Sequence, residues 1–245
     1  MTIVCASASA APNEEPLKAA SALARSSHHR LVLASVERGK RDQRAARGVE
    51  FLLRADHTNA IAQILHGALD VTIANLCEQV RARLLVVGSP HVVHTWQPSK
   101  VERLAFSVRV PMLVVRDAAP FVAWTAGDAP LCVLVVVNST SWPDPADRGR
   151  AWIAELGPRA LENVTDEVWH SGGELARDGF QPIACGDSAD EIVEVAAREG
   201  VDLIVLATHR EQGVAGVVES IAHELLLKSS ASVALVPEPH VGPVG

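Results

Sequence analysis

Ten histidines, four cysteines and several glycine- and serine-bearing segments are the residues of this chain with the means to do chemistry. A metal site needs His, Cys or carboxylate ligands at spacings that one ion can span. His28-His29, the pair His91 and His94, and the scattered His170, His209 and His223 match no zinc-module spacing, and no carboxylate or thiolate lies in register with them. No metal is expected. His28-His29 read instead as the end of a helix, where an imidazole is favoured by the terminal carbonyls. Cys5, Cys77, Cys132 and Cys185 form no CxxC pair and read as small buried hydrophobes rather than disulfides. A Ser/His/Asp hydrolase needs its nucleophile on a strained turn, and no Gly-x-Ser-x-Gly occurs. No catalytic residue of that kind is expected.

Phosphate binding remains. A phosphate loop works because backbone N–H groups approach the anion with no side chain in the way, beside a helix N-terminus. The residues that stand where such loops would form are Gly88 and Ser99, and then Asn138, Thr208, His209, Arg210 and Ser220.

These residues need strands and helices to hold them. Apolar runs at Thr2–Ala6, Leu31–Val36, Ile61–Leu65, Leu84–Val87 and Met112–Val115 read as strands. Between them lie helical stretches: Leu17, Ala20, Leu23 and Ala24; a polar, Arg-rich stretch from Arg38 to Arg54; Val101–Ser107; and one opened by Asp70 with Ile73, Leu76 and Val80 on one face. Asp117 to Pro130, rich in alanine with Pro and Gly, reads as a linker in which Trp124 pins two halves together. The pattern then restarts. Strands are expected at Leu131–Val137, Glu162–Trp169, Gln181–Cys185, Leu203–Leu206 and Val233–Pro237. Helices are expected at Pro145–Leu156, after a Ser188/Glu191 capping box with a stripe of Ile192, Val195 and Ala196, and at Ser220–Leu227. A shorter, glycine-bearing segment, Ser171–Phe180, stands where the first half has a helix. Trp96 and Trp142 fall in loops at the ligand ends of the sheets. The predicted units are residues 1–117, a linker at 118–129, residues 130–239 with the second helix shortened, and a tail at 240–245. Alternating strand and helix with continuous apolar strands means parallel sheets covered on both faces. Ligands of such sheets sit beyond the carboxyl ends of the strands, at the topological switch point.

Several residues carry a resemblance to a known family. Pro98-Ser99-Lys100-Val101-Glu102-Arg103-Leu104 with Pro111-Met112-Leu113-Val114-Val115 resembles the C-terminal signature of the universal stress proteins. Glu219-Ser220-Ile221-Ala222-His223-Glu224-Leu225 with Val233 to Pro237 resembles it again, and Thr208-His209 stands where that family often has Ser/Thr-His. The resemblance implies a tandem member: two flavodoxin-like or nucleotide-hydrolase-like (HUP-type) α/β/α sandwiches, each a mostly parallel five-stranded sheet, related by a pseudo-twofold axis that pairs the closing strands. It implies a stress-response accessory protein that acts by binding a ligand or partner.

The family's ATP binders carry Gly-x-x-Gly, a spacer and Gly-Ser/Thr, with an Asp at the end of the first strand. Here Gly88 is followed by His91 at the second glycine place, and Pro90 and Pro98 each remove an N–H. In the second half Ala207 and Arg210 replace the glycine pair, and Glu219 stands at the third. A carboxylate there would repel a triphosphate by about 1 kcal/mol or more. Ser7 and Asn138 replace the Asp, and Ser99 and Ser220 double as helix N-caps. Ordinary ATP binding is therefore not expected and no cofactor is assigned. The alternative is an ATP-binding stress protein with weak ATPase activity in the second domain, using Asn138, Thr208, His209, Arg210 and Ser220.

Charge bears on partners. Residues 1–125 hold 15 Lys and Arg against 10 Asp and Glu, and the remainder holds 7 against 19. The basic residues are scattered and Tyr is absent, so nucleic acid is not the expected partner. Mutual attraction of the halves, or of two copies in a homodimer, is the expected reading. No apolar run approaches the roughly 20 residues of a membrane span, and no basic region precedes the first apolar stretch, so a cytoplasmic location without a membrane is expected.

Overall fold

The computed structural model describes residues 2–7, 14–37, 59–89, 100–137, 144–156, 164–171, 183–185, 189–208 and 215–237. In chain order the elements are β1 (Thr2–Ser7), α1 (Glu14–Ser26), β2 (Arg30–Glu37), β3 (Ala60–His66), α2 (Leu69–Gln79), β4 (Ala82–Gly88), α3 (Lys100–Ser107), β5 (Met112–Val115) and α4 (Ala119–Ala126). The second half continues with β6 (Leu131–Val137), α5 (Asp144–Glu155), β7 (Val164–Ser171), β8 (Ile183–Cys185), α6 (Ala189–Arg198), β9 (Leu203–Thr208), α7 (Ala215–Lys228) and β10 (Ser232–Pro237). The apolar runs and the strands agree to within a few residues.

The strands form one ten-stranded sheet in the order β3-β2-β1-β4-β5-β10-β9-β6-β7-β8. Each half thus has the order 3-2-1-4-5, with every pair inside it parallel. That is the doubly wound order with its switch between first and fourth strand, not the 2-1-3-4-5 order of flavodoxin. Of the two descriptions the sequence allowed, the nucleotide-hydrolase-like one applies. The halves meet where β5 and β10 pair antiparallel, with Val114 opposite Val233, Leu113 opposite Ala234 and Met112 opposite Leu235.

Because side chains alternate along a strand, each strand feeds two cores. Ile3, Leu84, Val86, Leu113, Val133 and Val205 pack under α1, α4 and α5 on one face. Val4, Leu85, Met112, Val114, Ile204 and Val233 pack under α2, α3, α6 and α7 on the other. Both cores run without a break from one half into the other. Apolar burial rather than ion pairing therefore dominates the contact between the halves among the described residues. Among the described residues, Arg83–Glu155 is an ion pair that crosses between them, at 3.5 Å and about half exposed. Such a pair contributes about 0–1 kcal/mol.

The stretch expected as a linker forms α4. Pro120 falls in its first turn, Gly127 ends it in the left-handed region at φ 81°, and Phe121 and Trp124 are buried in the core that both halves share. Alanine runs favour helix, and the Pro and Gly that suggested a loop sit at the two ends where helices tolerate them. The N–H groups at the start of α4 are met by carboxylates: Glu15 Oε2 accepts from Ala118 at 2.8 Å and Asp117 Oδ1 accepts from Ala119 at 2.8 Å. The late helix of the second half also differs from expectation. It begins at Ala215, absorbing Gly216 despite its helix cost. In the helix opened near Asp70, Leu69 is the first residue, Ile73, Leu76 and Cys77 are its buried face, and Val80 is the residue that caps its end. The Arg-rich stretch 38–54, the segment 172–182, Ser188, Trp96 and Trp142 lie outside the described residues.

Candidate functional site

Two switch points exist, one per half. In the first, β1 lies beside β4 with Ala6 opposite Val87, so the strands end together at Ser7 and Gly88. In the second, β6 lies beside β9 with Val136 opposite Leu206, and they end at Val137 and Thr208. The antiparallel β5–β10 junction makes the strands of the two halves run in opposite directions. The two sets of strand ends therefore open at opposite edges of the sheet, and the candidate residues fall into two separate groups.

In the first group, Gly88 closes β4, pairs with Val115 of β5 and is half-buried. Ser99 stands immediately before α3, outside the described residues. In the second group, Thr208 closes β9 and pairs with Pro237 of β10. Asn138 is the residue after β6, and His209 and Arg210 follow β9; all three lie outside the described residues. Ser220 is a correction. Because α7 spans Ala215–Lys228, Ser220 is an interior helical position and not an N-cap, and Glu219 is likewise helical rather than a loop residue. The segment joining β9 to α7 is then 209–214, much shorter than the segment 89–99 that joins β4 to α3. The later start came from matching Glu219-Ser220 to the Gly-Ser/Thr of the family signature.

One residue at the first site was not anticipated. Arg116 follows β5, level with Ser89, and donates from one terminal nitrogen to Ser89 Oγ and from the other to the carbonyl of Leu226 in the last turn of α7. Its backbone N–H donates to Ser232 Oγ at 3.1 Å, and Ser232 is buried. Burial pulls the guanidinium's pKa down from its ordinary value, and no carboxylate among the described residues pairs with it. The strand register puts Pro237 at the corresponding place in the second half. The available signal was the cation's position directly after the closing strand, with a proline at the matching place of the repeat.

The remaining chemical candidates resolve simply. Among the described residues no group of three His, Cys, Asp or Glu side chains could hold a metal ion, and no helix is long and apolar enough to cross a membrane. Cys5 and Cys77 are free and buried, and burial pushes both thiols up to about 12. Cys132 is half-buried, and its Sγ donates to the carbonyl of Glu199 at 4.0 Å. His29 donates from Nδ1 to the carbonyl of Ser27 at 2.7 Å, at the end of α1.

Known proteins bear on this arrangement. The profile of the universal stress protein family matches residues 182–237, which run from β8 to the end of β10. No curated protein matches the chain significantly in sequence. A Pseudomonas aeruginosa UCBPP-PA14 structure assigned as a universal stress protein is similar with TM-score 0.73 and 14% identity, over 96% of this chain and 92% of that one. A universal stress protein from Archaeoglobus fulgidus DSM 4304 is similar with TM-score 0.67 and 10% identity, over 98% of this chain and 97% of that one. At such identities these likenesses speak to the fold, and they span both halves. The family match thus covers the end of the second half, and the structural likenesses extend the same fold over both halves.

Proposed function

We propose that this chain is a universal stress protein, a cytoplasmic stress-response accessory protein that works by binding a ligand or a partner, not by turnover and not by ordinary ATP binding. The carrying observation is the pair of switch points, each ending in a strand whose following segment lacks the glycine pair of a phosphate cradle. In the first half, Pro90 and Pro98 remove two N–H donors. In the second, only the segment 209–214 lies between β9 and α7, which leaves little backbone to wrap a triphosphate. Arg116 at the first is committed to Ser89 and Leu226 rather than to an incoming phosphate. What supports binding is the place itself, since doubly wound sheets take their ligands at the ends of the first and fourth strands.

The test is mass spectrometry of small molecules released when the purified full chain is denatured. The expected result is a stoichiometric small molecule or a co-purified protein partner, with no stoichiometric ATP or ADP. Release of ATP or ADP at one equivalent per chain would sink the reading in favour of a nucleotide-binding stress protein.

A further inference from the structure

We propose that Arg116 is a positioning residue that ties the strand-end segment of the first half to the last turn of α7 in the second, so that a change at Ser89 is felt in α7. The helices of the two halves pack on a continuous core, and such packing is insensitive to a single polar contact at its rim. Arg116 is different because one rigid group touches both halves at once. Its guanidinium donates to Ser89 Oγ, immediately after Gly88 at the end of β4, and to the carbonyl of Leu226. Its main chain is fixed independently, by the N–H donated to Ser232 Oγ at the start of β10.

The last carbonyls of a helix lack intrahelical donors and carry partial negative charge, so a cation there both caps and stabilises. That accounts for the contact with Leu226. It does not account for Ser89, which a simple helix cap has no need to hold. The planar guanidinium fixes the two terminal nitrogens relative to each other, so rotation that follows Ser89 must also move the donor at Leu226. Lys could not transmit this, because an ammonium is a point charge on a flexible stem. Pro237 occupies the matching level of the second half, so that half has no equivalent of Arg116.

A ligand seated at the end of β4 would displace Ser89 and thereby loosen or tighten α7. This consequence rests on the binding reading above; the tie itself does not, and it is tested without any ligand. The experiment is hydrogen–deuterium exchange of the full chain, read at the amides of Leu225 to Ser229. Ser89→Ala should raise their exchange about threefold to tenfold, the worth of one hydrogen bond. In an Arg116→Lys background the same Ser89→Ala change should leave these amides unmoved. Unaltered exchange on Ser89→Ala alone would overturn the tie. An equal rise in both backgrounds would overturn it too, because Ser89 would then act on α7 without Arg116. Ser89→Ala removes one hydroxyl from a half-buried position, so folding is expected to survive and the first comparison stands by itself.

Discussion

Cys5 and Cys77 sit at 6% and 2% exposure, and burial holds both thiols protonated, with pKa values pushed up to about 12. Since the thiolate is the nucleophile, neither should react with a thiol reagent in the native chain. Counting modified cysteines by mass spectrometry, before and after denaturation, is expected to show both labelled only in the unfolded protein. Glu15 makes a second prediction at this scale. The N–H of Ala118 holds its carboxyl below the ordinary range, with help from Lys18 and against desolvation. A depressed folded-state value means that the contribution is present above the unfolded value of about 4.3 and is lost as pH falls through the folded one. Glu15→Gln should therefore lower the Tm at pH 7, and the gap to the parent should close as thermal melts are run towards pH 2. At the residue scale the sequence spoke clearly for Cys5 and Cys77 as buried, less so for the half-buried Cys132, and for His29 at a helix end. It was silent on Arg116, whose partners come from β4, α7 and β10, distant in the chain and joined only by the sheet.

Two elements carry left-handed residues at their ends where one has glycine and the other does not. After α6 comes Gly200 at φ 65°, with Val201 N–H donating back to Ala196 at 2.8 Å. After α2 the matching place holds Arg81 at φ 51°, which a side chain adopts at a cost of about 1 kcal/mol. Arg81→Gly is expected to stabilise the chain and Gly200→Ala to destabilise it, each by about 1 kcal/mol in urea unfolding; a reversed sign at either would contradict the helix ends described. A further element-level tie is Asp202, at the start of β9. Its Oδ2 accepts from Cys132 N–H at 2.9 Å, its own N–H donates to Cys132, and its carbonyl accepts from Ser232 at 3.0 Å. Asp202→Ala leaves a backbone donor of β6 without its carboxylate and should cost about 1–3 kcal/mol, again measured by urea unfolding. Continuous apolar runs made the strands legible because both faces of the sheet are covered. The segment around Ala119 was misread because Gly and Pro were weighed as loop markers, and the one around Ala215 because the helix start was taken from the family signature. At helix ends, and once inside α7, tertiary packing outweighs them.

At the scale of the molecule, the repeat gave away the fold: two units, each with its strong fourth strand and late helix. The continuity of the sheet was less visible, since it depends on β5 and β10 meeting antiparallel, and no local pattern encodes a partner that far along the chain. The charge difference between the halves pointed to electrostatic attraction, yet most of the described contact between them is strand pairing and two shared apolar cores, joined by one half-exposed ion pair and the hydrogen bonds of Arg116. The two halves share one scaffold but not one site. Arg116 faces the first strand-end segment and has no counterpart in the second, while the second has the shorter connection into its late helix.

The most direct test of this account is calorimetric titration of the purified full chain with ATP and magnesium. No saturable heat is expected with ATP up to millimolar concentration. Micromolar binding that is lost on Asn138→Ala would contradict it, and would restore the second half as an ordinary nucleotide site.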